Sequence, residues 1–172
     1  MGATVVDTSA LVFLGRLRRL ELAQLLGEVV IPAPVLAEFT RGRHKDPDTV
    51  GRVESWIREK GLKVREVGVP VRFYPALGLG ERAVLWTASE LRAPILLIDE
   101  APARRVAKHL GFRVLSTPYV LLEGTRAGTI TTAQAQEDLD RFVAQGYFLD
   151  PRLYGDLKET LRRLATSRTK GS

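Results

Sequence analysis

Apolar residues in this chain fall into short uninterrupted runs separated by longer stretches of helical spacing. Thr4-Val5-Val6 stops at Asp7, Val29-Val30-Ile31 stops at Pro32, and Ile95-Leu96-Leu97-Ile98, the strongest run, stops at Asp99. Runs this short and this apolar read as strands buried on both faces. Residues 63–67 and Arg113-Val114-Leu115 read as weaker strands. Between them, Leu11, Val12, Leu14, Leu17, Leu20, Leu22, Leu25 and Leu26 keep helical spacing and predict one helix, capped by Thr8 or Ser9 and stopped by Gly27. Pro32 and Pro34 open a helix carrying Val35, Leu36, Glu38 and Phe39, because a first turn does not need the missing donor. Val50, Val53, Trp56 and Ile57 mark one face of the next helix, and Gly78-Leu79-Gly80-Glu81 opens another. Further helices are predicted over residues 102–110, 119–127, 132–144 and 151–165.

Strands alternating with amphipathic helices predict an α/β fold, because parallel strands need crossovers that helices supply. The expected architecture is a three-layer α/β/α sandwich around a mostly parallel sheet. Residues 1–166 read as a single domain and residues 167–172 as a frayed polar tail.

Composition narrows the chemistry. The chain has 172 residues and no cysteine, which excludes thiolate zinc sites, redox dithiols and a disulfide framework. Lys and Arg together number 26 against 20 acids, a formal charge of +6 that favours a polyanionic partner. The basic residues are scattered rather than blocked, so solvation of helix faces accounts for the charge equally well. No apolar stretch approaches the ~18 residues of a membrane span, and a carboxylate at Asp7 interrupts any signal core, so a soluble cytoplasmic protein is expected.

In an open α/β sheet, ligands bind beyond the carboxyl ends of the strands. Asp7 and Asp99 each follow a strong strand and should lie on the same sheet edge. Glu81 stands in a helix first turn, and Glu38 in the helix that follows the second strand. Each alone is explained by a turn, a helix dipole or solvation. Four acids placed this way in a basic chain make an oxygen-rich site suited to Mg²⁺ or Mn²⁺. Gly78-Leu79-Gly80-Glu81-Arg82-Ala83 also fits a dinucleotide fingerprint, but no buried strand leads into it and Glu81 would oppose a pyrophosphate. A phosphotransferase with Asp7 as nucleophile lacks a second acid two residues on, where Ser9 stands. His44 and His109 read as solvated and helix-end residues, and Trp56 and Trp86 as core or dimer anchors.

Several segments in order resemble the PIN-domain ribonucleases, and more closely their VapC-like toxin subgroup, from Val5 to about Leu149. They are Val5-Val6-Asp7-Thr8-Ser9-Ala10-Leu11, Ile31-Pro32-Ala33-Pro34-Val35-Leu36-Ala37-Glu38-Phe39, Leu79-Gly80-Glu81-Arg82-Ala83-Val84, and Leu96-Leu97-Ile98-Asp99-Glu100-Ala101-Pro102-Ala103-Arg104. The stretch from Thr117 to Ile130 is similar to the segment after that subgroup's last acid, although Ser116-Thr117-Pro118 stands where a Gly-Thr pair is usual. The resemblance implies a metal-dependent endoribonuclease in which Asp7, Glu38, Glu81 and Asp99 bind Mg²⁺ or Mn²⁺ that activates water against an RNA phosphodiester. Glu100 is either an accessory ligand or a solvated acid at a helix start, and the resemblance further implies Thr8 and Ser9 as hydrogen-bonding supports of Asp7, a homodimer, and a protein antitoxin in the active-site groove. Arg41, Arg43, Lys45, Arg82 and Arg104 are the candidate contacts to RNA phosphates, and Tyr74 or Phe73 a base-stacking ring. The alternative is an inactive PIN-like module that binds RNA or protein.

Overall fold

The computed structural model describes residues 2–169. The chain divides into two compact units, Met1–Thr117 and Pro118–Ser172.

The first unit is built on five short parallel strands: β1 (Ala3–Val6), β2 (Glu28–Pro32), β3 (Lys63–Arg65), β4 (Ile95–Leu97) and β5 (Arg113–Leu115). Their order in the sheet is β3-β2-β1-β4-β5, all parallel, with helices on both sides, which is the expected sandwich. β1 lies at the centre, so both of its faces and both of its edges are covered, and Thr4, Val5 and Val6 are fully buried. From β1 the chain builds outward through β2 and β3, then returns to the other side of β1 for β4 and β5. That reversal makes the β1–β4 boundary the switch point, where the crossover helices diverge and leave a crevice beyond the strand ends.

The helices of this unit are α1 (Thr8–Leu17), α2 (Ala33–Arg41), α3 (Pro47–Lys60), α4 (Leu79–Leu91) and α5 (Ala101–His109). Asp46 caps α3 by accepting from the Thr49 amide, with Pro47 in the first turn. One expected helix is two. Arg18 adopts a left-handed conformation with φ 59°, and the amides of Arg18 and Arg19 turn back to the carbonyls of Gly15 and Leu14. This ends α1, and residues Leu20–Leu26 continue as a 3₁₀ helix that buries Leu20 and Leu22. The two segments still bury the leucines, so helical spacing alone does not register the break. The third strand is also shorter than residues 63–67, ending at Arg65.

In the second unit, α6 (Thr117–Arg126), α7 (Thr132–Ala144) and α8 (Pro151–Thr169) follow one another, and α7 and α8 pack together. Thr131 and Gln134 form a reciprocal cap at the start of α7, and Leu139 and Phe142 of α7 are buried, as are Leu157 and Leu161 of α8. Asp140 accepts from the Tyr154 hydroxyl and from Lys158 Nζ, tying the two helices at their surface. The tail expected from residue 167 is helical as far as Thr169, and residues 170–172 lie outside the described residues. Among the described residues no helix is long and apolar enough to cross a membrane.

Gly27 shows how tightly the first crossover is closed. Its φ is 135°, a Cβ there would collide with the Gly2 carbonyl oxygen, and the next amide, Glu28 N, donates to that same oxygen at 3.1 Å. Gly27→Ala should therefore cost more than about 1 kcal/mol, read as a lower urea midpoint with an unchanged slope.

Candidate metal centre

Asp7 is the first residue beyond β1 and Asp99 the second beyond β4. Val6 is paired with Leu97, and the Asp7 amide donates to the Leu97 carbonyl at 3.0 Å, so the two strand ends leave the sheet together. Both aspartates are 3% exposed. The arrangement is held by hydroxyl and amide donors. Asp7 Oδ1 accepts from the Thr8 amide at 2.6 Å and Oδ2 from Ser9 Oγ at 2.7 Å. Ser9 Oγ in turn accepts from the Asp99 amide at 3.3 Å, so one hydroxyl bridges the two strand ends. Asp99 is clamped on both oxygens by Thr117, whose amide and Oγ1 donate at 2.8 and 2.6 Å.

Burial dominates the electrostatics. Loss of water pushes the Asp7 carboxyl up to about 7; the neighbouring charges of Asp99 and Glu81 add to this, while the Ser9 and Thr8 hydrogen bonds oppose it. Burial likewise raises Asp99 to about 6, Glu100 adds repulsion, and the Thr117 bonds and Arg104 offset only part of the effect. Among the described residues Asp7 has no ion-pair partner. With neutral dipoles around it and no cation beside it, the carboxyl keeps its proton well above the ordinary carboxylate range.

Glu38, Glu81 and Glu100 line the same cleft as Asp7, Thr8 and Ser9, a space of about 430 Å³ whose apolar wall is Val12 and Phe13. Glu38 is exposed and its carboxylate lies against the Cα of Gly80, where a Cβ would collide with Oε2; Thr8 Oγ1 would lie 3.4 Å from that Cβ. Gly80 thus lets α4 pass close enough to α2 for Glu38 to occupy the cleft. Glu81 also caps α4, its Oε2 accepting from the Gly78 amide at 2.8 Å. Residues 66–78, which precede that helix, form turns and bends with no strand, so the dinucleotide fingerprint lacks its structural context.

Among the described residues no group of three or more His, Cys, Asp or Glu side chains is arranged to hold a metal ion unaided. The donors nevertheless suit a hard divalent cation. Mg²⁺ keeps several waters and needs only one or two carboxylates; Asp7 offers one in a desolvated setting and Glu38, Glu81 and Glu100 line the same cleft, whereas Asp99, held on both oxygens by Thr117, lies behind it and is not among the lining residues. Thr8 Oγ1 is buried without a hydrogen-bond partner, a further oxygen at the cleft wall.

The expected basic contacts are dispersed. Arg41 and Lys45 are exposed at the end of α2 and on the loop after it, whereas Arg43 is in an ion pair with Glu54. Arg82 Nη1 donates to the Val71 carbonyl at 3.1 Å, tying down the loop before α4. Arg104 lies within electrostatic reach of Asp99. Phe73 packs edge-on against Tyr74 and Trp86, Trp56 is buried, and Tyr74 has φ 45°. His44 and His109 are exposed, the latter at the end of α5.

Sequence reasoning did not assign Thr117 or Gly80 to the site. Thr117 follows the end of β5, on the sheet edge that carries Asp7 and Asp99, and the strand-end rule that selected the acids would have selected it too. Gly80 had no such signal, because its role is set by a side chain on another helix.

A family model described as a PIN domain matches residues 3–163. The chain belongs to the PIN-domain family. PIN domains are generally nucleases, so a nuclease-type fold is established for the chain. Among curated proteins no match is found. A solved structure, a domain of a functionally unknown protein from Methanocaldococcus jannaschii DSM 2661, is 23% identical with a TM-score of 0.47, covering 67% of this chain and 91% of that one.

Two outcomes follow for this PIN domain. Each raised aspartate keeps its proton in the folded state at pH values where the unfolded chain has lost it. Stability of the metal-free protein should therefore fall as pH rises from about 4 towards about 7 for Asp7 and 6 for Asp99. Melting temperatures across that range should decline, and Asp7→Asn should flatten the decline. Gly80→Ala moves only the end of the Glu38 side chain and adds a helix-favouring residue, worth up to about 1 kcal/mol. It should leave the metal-free melting temperature equal or higher while shrinking the rise produced by added Mn²⁺.

Proposed function

We propose that this chain is a metal-dependent endoribonuclease that hydrolyses RNA phosphodiester bonds with Mg²⁺ or Mn²⁺, and that it is the toxin of a type II toxin–antitoxin pair. The observation that carries the nuclease reading is the pair of buried aspartates at the β1–β4 switch point, bridged by Ser9 and held by neutral donors. Asp7 and Asp99 would hold the ion from the sheet edge, with Glu38 reaching in from α2 and Glu81 and Glu100 at the rim. When bound, a divalent ion offsets phosphate charge and lowers the pKa of water. The remaining work belongs to the chain. Ser9 and Thr117 keep the carboxylates oriented, and Val12 and Phe13 limit water on one wall. Arg41, Lys45 and Arg104 position phosphates outside the acids without reading sequence. Arg43 and Arg82 have less to offer RNA while engaged with Glu54 and the Val71 carbonyl.

The toxin role, a homodimer, a cytoplasmic setting and a protein antitoxin lying in the groove follow the resemblance of the four acid-bearing segments to VapC-like proteins. Two observations favour the alternative, an inactive RNA- or protein-binding module: Glu81 is occupied as a helix cap, and among the described residues no three acids are arranged around one ion. Such a module would bind RNA and leave it intact.

Incubation of the protein with RNA in Mg²⁺ or Mn²⁺ and in chelator separates the readings. The wild type should cleave internally only with metal. Asp7→Asn and Asp99→Asn should fall to the chelator level, and Ser9→Ala should lose about 10–100-fold. Induced wild type should halt growth and Asp7→Asn should not. Cleavage that persists in chelator, or in both Asn variants, would overturn the mechanism.

A further inference from the structure

Among the described residues, four cations of the first unit lie in ion pairs with nearby acids. Arg16 is paired with Asp46, Arg43 with Glu54, Lys63 with Glu28 and Arg65 with Glu90. The segment from Ala101 to Arg113 is different. It contains Arg104, Arg105, Lys108 and Arg113 and no Asp or Glu, and among the described residues none of these four cations is in an ion pair. Its inward face is small and apolar, with Ala103 and Ala107 fully buried. Arg105, Lys108 and Arg113 are exposed, and Arg104 is half-buried on the side that faces Asp99.

Placement gives this strip a direction. α5 starts two residues after Asp99, at the carboxyl edge of the sheet, and runs back to the opposite edge, where Arg113 opens β5. Arg104 and Lys108 are one row apart on the helix, a rise of about 6 Å. From Arg104, beside Asp99, a series of cations in no ion pair among the described residues therefore leads down the outside of β5.

We propose that the outer face of α5, through Arg105 and Lys108 with Arg113 beyond them, is the track that holds the single-stranded RNA backbone on one side of the scissile phosphate. Its charge complements a phosphate chain, while its lack of aromatic residues from 101 to 111 leaves nothing there to stack on bases. The track binds backbone without reading sequence. It rests on the nuclease reading for the identity of the polyanion as RNA.

The test uses the full chain carrying Asp7→Asn, without added divalent metal, so that binding is measured apart from cleavage. A labelled single-stranded RNA oligonucleotide is titrated by fluorescence anisotropy over a range of salt concentrations. Arg105→Gln with Lys108→Gln is compared with Arg58→Gln and Lys60→Gln, a charge-matched pair at the exposed end of α3. The α5 pair should weaken binding roughly tenfold and make the plot of log affinity against log salt shallower by about 1.4, two contacts' worth. The α3 pair should leave both nearly unchanged. Equal losses would show a diffuse effect of net charge, and no loss from the α5 pair would show that RNA runs elsewhere; either overturns the track. Loss confined to the α5 pair in a protein that cleaves no RNA with any metal would keep the track and remove the nuclease assignment.

Discussion

The pairing of β1 with β4 is the constraint on which the rest depends. It joins positions about ninety residues apart in sequence and brings Asp7 and Asp99 out of the sheet side by side. A parallel sheet with β1 at its centre has no solvent on either face there, so carboxylates that leave its carboxyl edge begin their first turn desolvated. Burial then raises both, Asp7 to about 7 and Asp99 to about 6. The fold does not need charge at these positions, and ionising them costs it stability.

The partners of those carboxylates sharpen this point. A buried carboxylate is commonly matched by arginine or lysine, which would remove both the electrostatic cost and the attraction for any other cation. Here the close contacts are a serine hydroxyl, a threonine hydroxyl and backbone amides. These fix the direction of the oxygens while carrying no net charge. Each Asp7 oxygen keeps lone-pair capacity beyond the one bond described. At Asp7, which has no ion-pair partner among the described residues, orientation is thus separated from neutralisation, whereas Asp99 also feels the Arg104 charge.

The features legible in the sequence are those whose signal is local. An apolar run ending in an acid identifies a strand and the residue at its carboxyl end together, which is why Asp7 and Asp99 could be named in advance. Proline similarly marked the start of α2, and the glycine-rich opening marked α4. Features set by distant neighbours were not legible. Nothing around Arg18 announces a left-handed residue, because leucines at positions 20 and 22 are buried equally well by a 3₁₀ helix. Arg43 looks free on its loop until Glu54, eleven residues on, comes around with α3. Gly80 reads as part of a helix start, and only the packing of α2 against α4 shows that its missing side chain makes room for Glu38.

On the proposed function, the uneven charge of the first unit also sets an order of events. RNA approaching α5 would meet exposed cations with no acid between them, and at the start of that helix the exposed Glu100, with Asp99 and Asp7 buried behind it. Phosphate brought against those acids without a cation would push both aspartates further towards the protonated form, which offers it no positive charge. A divalent ion reverses the sign of that encounter at the cleft while leaving α5 unchanged. Backbone capture on the helix can therefore precede the ion, whereas seating of a phosphate over the aspartates cannot. On this reading binding strength depends on the cations of α5, and metal dependence on carboxylates brought together from the ends of β1 and β4 and from α2.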